Sequence, residues 1–91
     1  MKVLLSQRGE SDLLAIAERL GGTQMGTRFV DQFDRALERL ALFPASGKRD
    51  DRLGAIGSFL VLGEFVLTYE VRADSIWIVS IVDSAIWREN D

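Results

Sequence analysis

Three cationic side chains lie close together near the middle of the chain, at Lys48, Arg49 and Arg52. A cluster of this kind can hold a phosphate and stabilise the negative charge that develops when a phosphodiester bond is cleaved. The neighbouring acids Asp50 and Asp51 partly neutralise it. A phosphodiester-cleaving site and a charged surface loop therefore both fit these residues, and the surface loop is the simpler interpretation.

Acidic side chains offer a second kind of chemistry. Glu64, Glu70, Asp74 and Asp83 lie on or near predicted strands, and a pair of carboxylates can act as general acid and base. No spacing among them defines such a pair, and acids at sheet edges are usually solvated. Two adjacent loop acids, residues 50–51, are a weak magnesium pattern. We therefore predict no catalytic acid, no metal and no cofactor.

The composition excludes several classes of protein. The chain has 91 residues, enough for one domain, and it contains neither Cys nor His. Disulfides, thiol nucleophiles, zinc fingers and imidazole catalysis are thereby excluded. No apolar run approaches the length of a membrane span, so we expect a cytoplasmic protein without membrane contact. The net charge of −3 disfavours strong direct binding of nucleic acid.

Two helices are predicted in the first half of the chain. Lys2 to Leu5 favours a short strand, after which apolar residues recur at helical spacing over residues 7–20. Gly21 and Gly22 end this helix, and a second one begins at Thr23 or Thr27 and continues to about residue 42. A short connection favours an antiparallel helical hairpin. Residues 44–57 are predicted to be a loop that carries the basic cluster.

The second half changes to a period of two, which predicts strands at 58–62, 65–71 and 76–82. Gly63 suits the first central position of a type II′ turn. The middle strand alternates, so we expect it to be half-buried, with Tyr69 in the core and its hydroxyl bonded at the rim. The third strand is apolar on both faces and should be central or covered. The predicted fold is α+β, with the hairpin on one face of an antiparallel sheet.

The tail, residues 83–91, carries an apolar pair at Ile86 and Trp87. A large aromatic side chain beyond the last predicted strand has no obvious core to join. Trp87 either folds back onto the domain or serves as a binding anchor. The sequence leaves both interpretations open.

The order and spacing of these residues resemble the RelE/ParE superfamily, the toxins of bacterial type II toxin–antitoxin pairs. The resemblance covers nearly the whole chain. Phe43-Pro44 and Gly47 resemble the exit from the family's second helix. Residues 62–71 resemble its glycine turn and Tyr-Arg-Val strand, and residues 76–82 resemble its Ile-x-Ile strand.

The departures from the family pattern favour one branch. Members commonly have Arg at the positions of Glu70 and Ser80 and His at that of Asp83. The branch that cleaves ribosome-bound mRNA also has basic residues near Val61 and Ile86. Without imidazole and an ordered cationic site, cleavage lacks proton transfer and charge stabilisation. The resemblance is therefore closer to ParE, which implies a protein that binds and inhibits DNA gyrase.

In the ParE branch, toxicity is associated with the C-terminal part of the chain, so the resemblance implies target binding by Ile86, Trp87 and Arg88. It also implies a cognate antitoxin, expected to lie across the hairpin and sheet as an extended, helix-containing segment. Because this chain is acidic, that segment should rely on apolar anchors or on Arg and Lys. Two alternatives stay open: a RelE-like endoribonuclease that uses Lys48, Arg49 and Arg52, and a degenerate member without toxicity.

Overall fold

The computed structural model describes residues 1–54 and 57–89. Within them the principal elements are, in chain order, β1 (Lys2–Leu5), α1 (Gln7–Leu20), α2 (Gln24–Leu42), β2 (Lys48–Arg49), β3 (Gly57–Leu62), β4 (Phe65–Val71), β5 (Ser75–Asp83) and α3 (Ser84–Glu89). Short 3-10 turns at Pro44–Ser46 and Asp51–Leu53 flank β2. The two long helices and three long strands lie close to the predicted ranges.

The sheet has five strands in the order β1-β5-β4-β3-β2. β1 pairs parallel with β5, and the other neighbours are antiparallel. The parallel pairing places β5 between β1 and β4, in agreement with the prediction that this strand is central or covered. The α+β fold is confirmed.

The helix and turn boundaries follow the local chemistry of the sequence. The Ser6 hydroxyl accepts the Gly9 N–H at 2.9 Å and caps α1, and the Thr23 hydroxyl accepts the Gly26 N–H at 3.0 Å and caps α2. Thr23 is thus the helix start. Gly63 has φ +63°, and no residue other than glycine has a positive φ among those described. This is the pattern of the predicted type II′ turn.

The core lies between the helical hairpin and one face of the sheet. Its aromatic centre joins Phe29 of α2 to Phe65 of β4, with ring centroids 5.0 Å apart. The other fully buried members come from both layers: Ile16, Phe33, Ala36, Leu40, Leu62, Leu67, Tyr69, Ile76, Ile78 and Ile81. Helical and strand periodicities therefore supply the two halves of one apolar layer.

The prediction of a half-buried middle strand was wrong, because both faces of β4 are covered. Val66 and Thr68, which point away from the helical hairpin, are only 2% and 3% exposed. The Thr68 hydroxyl is hydrogen-bonded to that of Ser80. The cause is α3, which lies against β4 and β5. The sequence analysis treated residues 83–91 as a tail and did not predict this helix, so it left the second face of β4 uncovered.

The predicted loop at 44–57 also contains a strand. Lys48 and Arg49 form β2 and pair with Phe59 and Ser58 of β3. A strand of two residues is too short to be detected by alternation, and its pairing partner is what defines it. Residues 55 and 56 of this predicted loop lie outside the described residues.

The side chains of Ser6, which caps α1, and of Asp12 in α1 bind main-chain groups of β5 beyond the end of β1. Leu5 is paired with Ile78. Beyond that point the Ser6 hydroxyl donates to the Val79 carbonyl at 3.0 Å, and Asp12 accepts the Ile81 N–H at 2.9 Å. Buried backbone groups must find such partners. The start of α1 is therefore fixed on the sheet at two points.

Candidate functional site

Trp87 folds back onto the sheet face opposite the hairpin. Its indole ring lies 5.3 Å from the ring of Phe59, centroid to centroid. The Arg52 guanidinium carbon lies over the same ring, 3.9 Å from the indole centroid. The side chain is half-buried. The structure therefore shows Trp87 folded back onto the domain, which is the first of the two interpretations that the sequence left open.

Arg52 is bound at several points. Its Nε and Nη2 donate to the two carboxylate oxygens of Asp50 at 3.0 and 2.8 Å. Its Nη1 donates to the main-chain carbonyl of Trp87 at 2.8 Å. We call Asp50, Arg52 and Trp87 the clasp. It joins the predicted basic loop to the predicted target-binding tail, which sequence analysis treated as two rival sites.

Asp50 is held ionised by its neighbour. The Arg52 side chain, and then the Arg52 backbone N–H at 2.9 Å, lower the pKa of Asp50 from 3.8 to about 2. Hydrogen bonds to the charged form of a carboxylate favour that form. Because the folded pKa lies below the unfolded one, the stabilising contribution is complete above about pH 4. It is lost as the pH falls through about 2.

The basic cluster does not assemble into one cationic site. Lys48 and Arg49 are neighbours on β2, and successive strand residues point to opposite faces of a sheet. Lys48 shares the face of its partner Phe59, whereas Arg49 shares that of Ser58. Arg52 meanwhile is bound to Asp50 and Trp87. The three side chains thus lack the convergence that phosphate binding requires.

The predicted target-binding residues occupy one short helix, α3. Ile86 is 53% exposed, and Arg88 is also exposed. Among the described residues, Arg88 makes long hydrogen bonds, at 3.4 Å, to the carbonyl and hydroxyl of Ser84. Ile86 and Arg88 therefore face solvent on either side of the inward-turned Trp87.

Tyr69 anchors the start of the basic loop from the core. The side chain is 1% exposed. Its hydroxyl accepts the Gly47 N–H at 2.9 Å and donates to the Pro44 carbonyl at 3.1 Å. The prediction of a core tyrosine with a satisfied hydroxyl is confirmed. A buried residue of β4 thus fixes where β2 begins.

Replacing Tyr69 with Phe is expected to lower the free energy of unfolding by about 1–2 kcal/mol, because the Gly47 N–H loses its acceptor. Urea denaturation measures the loss, and faster amide exchange at Gly47 locates it. Ser46→Ala is the matched control, since the Ser46 hydroxyl is buried without a partner among the described residues. Equal stabilities for the two variants would contradict this role of Tyr69.

Three of the four candidate acids have separate structural partners. Glu70 pairs with Arg72 at 3.0 Å. Asp83 accepts the Ala85 N–H at 2.8 Å at the start of α3. Asp74 accepts the Ser75 hydroxyl at 3.2 Å. Within residues 1–54 and 57–89, acidic side chains form no group of three that suits a metal ion.

Sequence analysis missed Phe59 and Asp50 as parts of the site. The spacing Asp50-x-Arg52 was a usable signal, because an Asp side chain commonly accepts the N–H two residues later. Phe59 carried no such signal, since its contact with Trp87 joins residues far apart in the chain. Across the described ranges, no helix combines the length and apolar character needed to cross a membrane.

Comparisons with known proteins agree with this architecture. The chain resembles a solved structure from the chromosomal ParDE toxin–antitoxin system of P. aeruginosa, with a TM-score of 0.71 and 19% identity; the match covers 91% of this chain and 95% of that one. It also resembles a YoeB/ParE toxin from Agrobacterium tumefaciens, with a TM-score of 0.70 and 13% identity over 91% and 98% of the two chains. A search of curated proteins gives no match.

These structural likenesses establish the fold, and a sequence model establishes the family. The model of the ParE toxin of the type II toxin–antitoxin system parDE matches residues 3–86. That match includes both long helices, β2 to β5, all but the first residue of β1, and the first part of α3. The chain therefore belongs to the ParE toxin family of type II toxin–antitoxin systems.

Proposed function

We propose that this chain is a toxin that inhibits DNA gyrase by binding it, and that a cognate antitoxin neutralises it. The observation that carries the proposal is the engagement of Arg52 by Asp50 and Trp87. This engagement occupies Arg52, whereas Lys48 and Arg49 lie on opposite faces of the sheet. Without histidine and without converging cations, RNA cleavage lacks an imidazole for proton transfer and an ordered site for the developing charge.

The proposed gyrase-binding surface is α3, with Ile86 and Arg88 as its exposed members and Trp87 behind them. An apolar side chain next to a cation suits a protein surface better than a nucleic-acid backbone, where several cations are normally needed. The sequence-based prediction of Trp87 as a direct contact changes to a supporting role, because its ring is covered by Phe59 and Arg52.

The proposed antitoxin site is the apolar groove between α1 and α2, with a volume of about 380 Å³. Its floor includes Ile16 and Phe29, and its walls include Leu13, Leu20 and Val30. The groove lies on the hairpin, whereas α3 lies on the opposite face of the sheet. An amphipathic helix placed in such a groove is held by apolar anchors, as expected for an antitoxin of an acidic toxin.

A supercoiling assay with purified DNA gyrase and the purified chain tests the proposal, and we expect inhibition. The matched variant is Lys48→Ala/Arg49→Ala, which removes two cations of the basic loop and leaves Arg52 in place. It should inhibit as strongly as the unmodified chain. The triple variant that includes Arg52 is a poor discriminator, because loss of Arg52 also disturbs α3.

Two outcomes would favour the alternatives. Cleavage of ribosome-bound mRNA that disappears in Lys48→Ala/Arg49→Ala would support the endoribonuclease. A folded chain that causes no growth arrest when expressed without antitoxin would indicate a degenerate member. Neither is expected.

A further inference from the structure

We infer that Arg52 is a positioning residue that fixes the orientation of α3 for target binding, so that the clasp sets which side chains the target meets. The inference rests on the proposed function, since it assigns a role to a residue behind the proposed gyrase-binding surface. Arg52 itself does not contact the target. The family's basic loop would thus serve, in this chain, to hold the C-terminal helix.

The first argument is that α3 cannot hold its own conformation. It has six residues, and isolated helices of that length are unstable in water. Its start is fixed to the sheet, because the Ser84 N–H donates to the Glu64 carbonyl at 2.8 Å and Asp83 accepts the Ala85 N–H. Its far end needs a separate attachment.

Arg52 supplies that attachment. The carbonyls in the last turn of a helix lack intrahelical partners, and the Arg52 guanidinium donates to one of them, that of Trp87, at 2.8 Å. A cation at this position also interacts favourably with the helix dipole. The guanidinium carbon lies over the Trp87 indole, 3.9 Å from its centroid. One side chain thus restrains both the backbone and the ring of Trp87.

Arg52 is itself held in place. Asp50 binds it through two carboxylate oxygens and also accepts its backbone N–H. The planar guanidinium can make the bidentate bond, the carbonyl bond and the ring contact together. A lysine ammonium has no such fork and no planar face to stack. The arrangement therefore requires arginine and not merely a positive charge.

The consequence is a defined outward surface. Successive helix residues are rotated by about 100°, so a Trp87 that points inward leaves Ile86 and Arg88 on the two flanks of the helix. Both are exposed. The surface is an apolar side chain beside a cation, which fits an apolar patch bordered by carboxylates on the partner protein. Loss of the clasp would let Trp87 turn outward and change that pattern.

The test uses Trp87 as a reporter in a Trp77→Phe background, since the chain has two tryptophans. Arg52→Ala, Arg52→Lys and the control Arg49→Ala are compared by acrylamide quenching, by gyrase inhibition and by urea denaturation. We expect greater quenching of Trp87 and about tenfold weaker inhibition for Arg52→Ala. For Arg52→Lys, quenching and inhibition should lie between those of the parent and of Arg52→Ala. Arg49→Ala should match the parent in both. The urea midpoint should fall modestly in Arg52→Ala, because Asp50 loses its partner, so inhibition is compared under conditions in which every variant is fully folded.

The outcomes separate this inference from the proposed function. Unchanged quenching in Arg52→Ala would overturn the clasp. Greater quenching with unchanged inhibition would overturn its positioning role. If the parent chain does not inhibit gyrase but arrests growth, the gyrase proposal fails, and growth arrest becomes the readout for the same variants. A folded parent that does neither would overturn both.

Discussion

Replacing Trp87 with alanine is expected to weaken gyrase inhibition by about tenfold or more, with the overall fold retained. The indole packs against the Phe59 ring and the Arg52 guanidinium. Without it, α3 keeps its start at Ser84 and loses the contact that turns Ile86 and Arg88 outward. The supercoiling assay measures the inhibition, and circular dichroism and urea denaturation verify the fold.

Trp77→Ala provides a matched control for this prediction. Trp77 lies on β5, and the Arg72 guanidinium carbon stands 5.2 Å from its ring centroid. Like Trp87, Trp77 is half-buried and lies next to an arginine, but it belongs to a strand and not to α3. Inhibition should persist in Trp77→Ala. Equal loss in both variants would indicate general destabilisation, and no loss in Trp87→Ala would contradict the role of α3.

Replacing Gly9 with alanine is expected to lower the free energy of unfolding by about 2–3 kcal/mol, in the range of overpacked sites. Gly9 lies in the first half of α1, where the helix meets the sheet. A Cβ atom there would stand 2.5 Å from the carbonyl oxygen of Ile78. Ser6 and Asp12 bind β5 on either side of Gly9, so α1 cannot shift away without losing these hydrogen bonds.

Whether Gly9→Ala raises or lowers the free energy of unfolding shows whether the site is sterically crowded. Alanine is the better helix former by about 1 kcal/mol, so an unstrained site would gain stability. Urea denaturation of Gly9→Ala should show a loss instead. Ser11→Ala, at an exposed position of the same helix, is the control and should lie within about 0.5 kcal/mol of the parent. A stabilised Gly9→Ala would mean that α1 stands farther from β5.

The proposed inhibition of gyrase should respond differently to Gly9→Ala and Trp87→Ala. Gly9→Ala acts through the stability of the whole domain, and its effect on gyrase inhibition should disappear where the variant is fully folded. Trp87→Ala acts at α3, so weakened inhibition should persist under those conditions. Inhibition measured at a low temperature and at matched folded fractions separates the two mechanisms.

Much of the fold was predictable because its causes are local. The caps at Ser6 and Thr23 each satisfy an N–H three residues later. The turn at Gly63 depends on the φ of one residue. The apolar stripes of α1 and α2 and the alternation of β4 repeat over short windows. The composition of β5 also predicted a central or covered strand, and β5 is internal to the sheet.

The errors have one physical origin, which is contact between residues distant in the chain. β2 exists because Lys48 and Arg49 find β3. The covered second face of β4 depends on a helix that begins after β5 ends. Periodicity describes what a segment needs to bury, and it does not say which other segment covers it.

The candidate site shows the same division. The sequence by itself determined the chemical inventory: no histidine, no cysteine, a sparse set of cations and a tail with Ile86, Trp87 and Arg88. Only the tertiary structure shows that Arg52 binds Asp50 and the main chain of Trp87 in the tail. Arg52 and Trp87 are 35 residues apart, and no local pattern encodes a hydrogen bond over that separation. The folding of the sheet brings the basic loop and α3 to the same face.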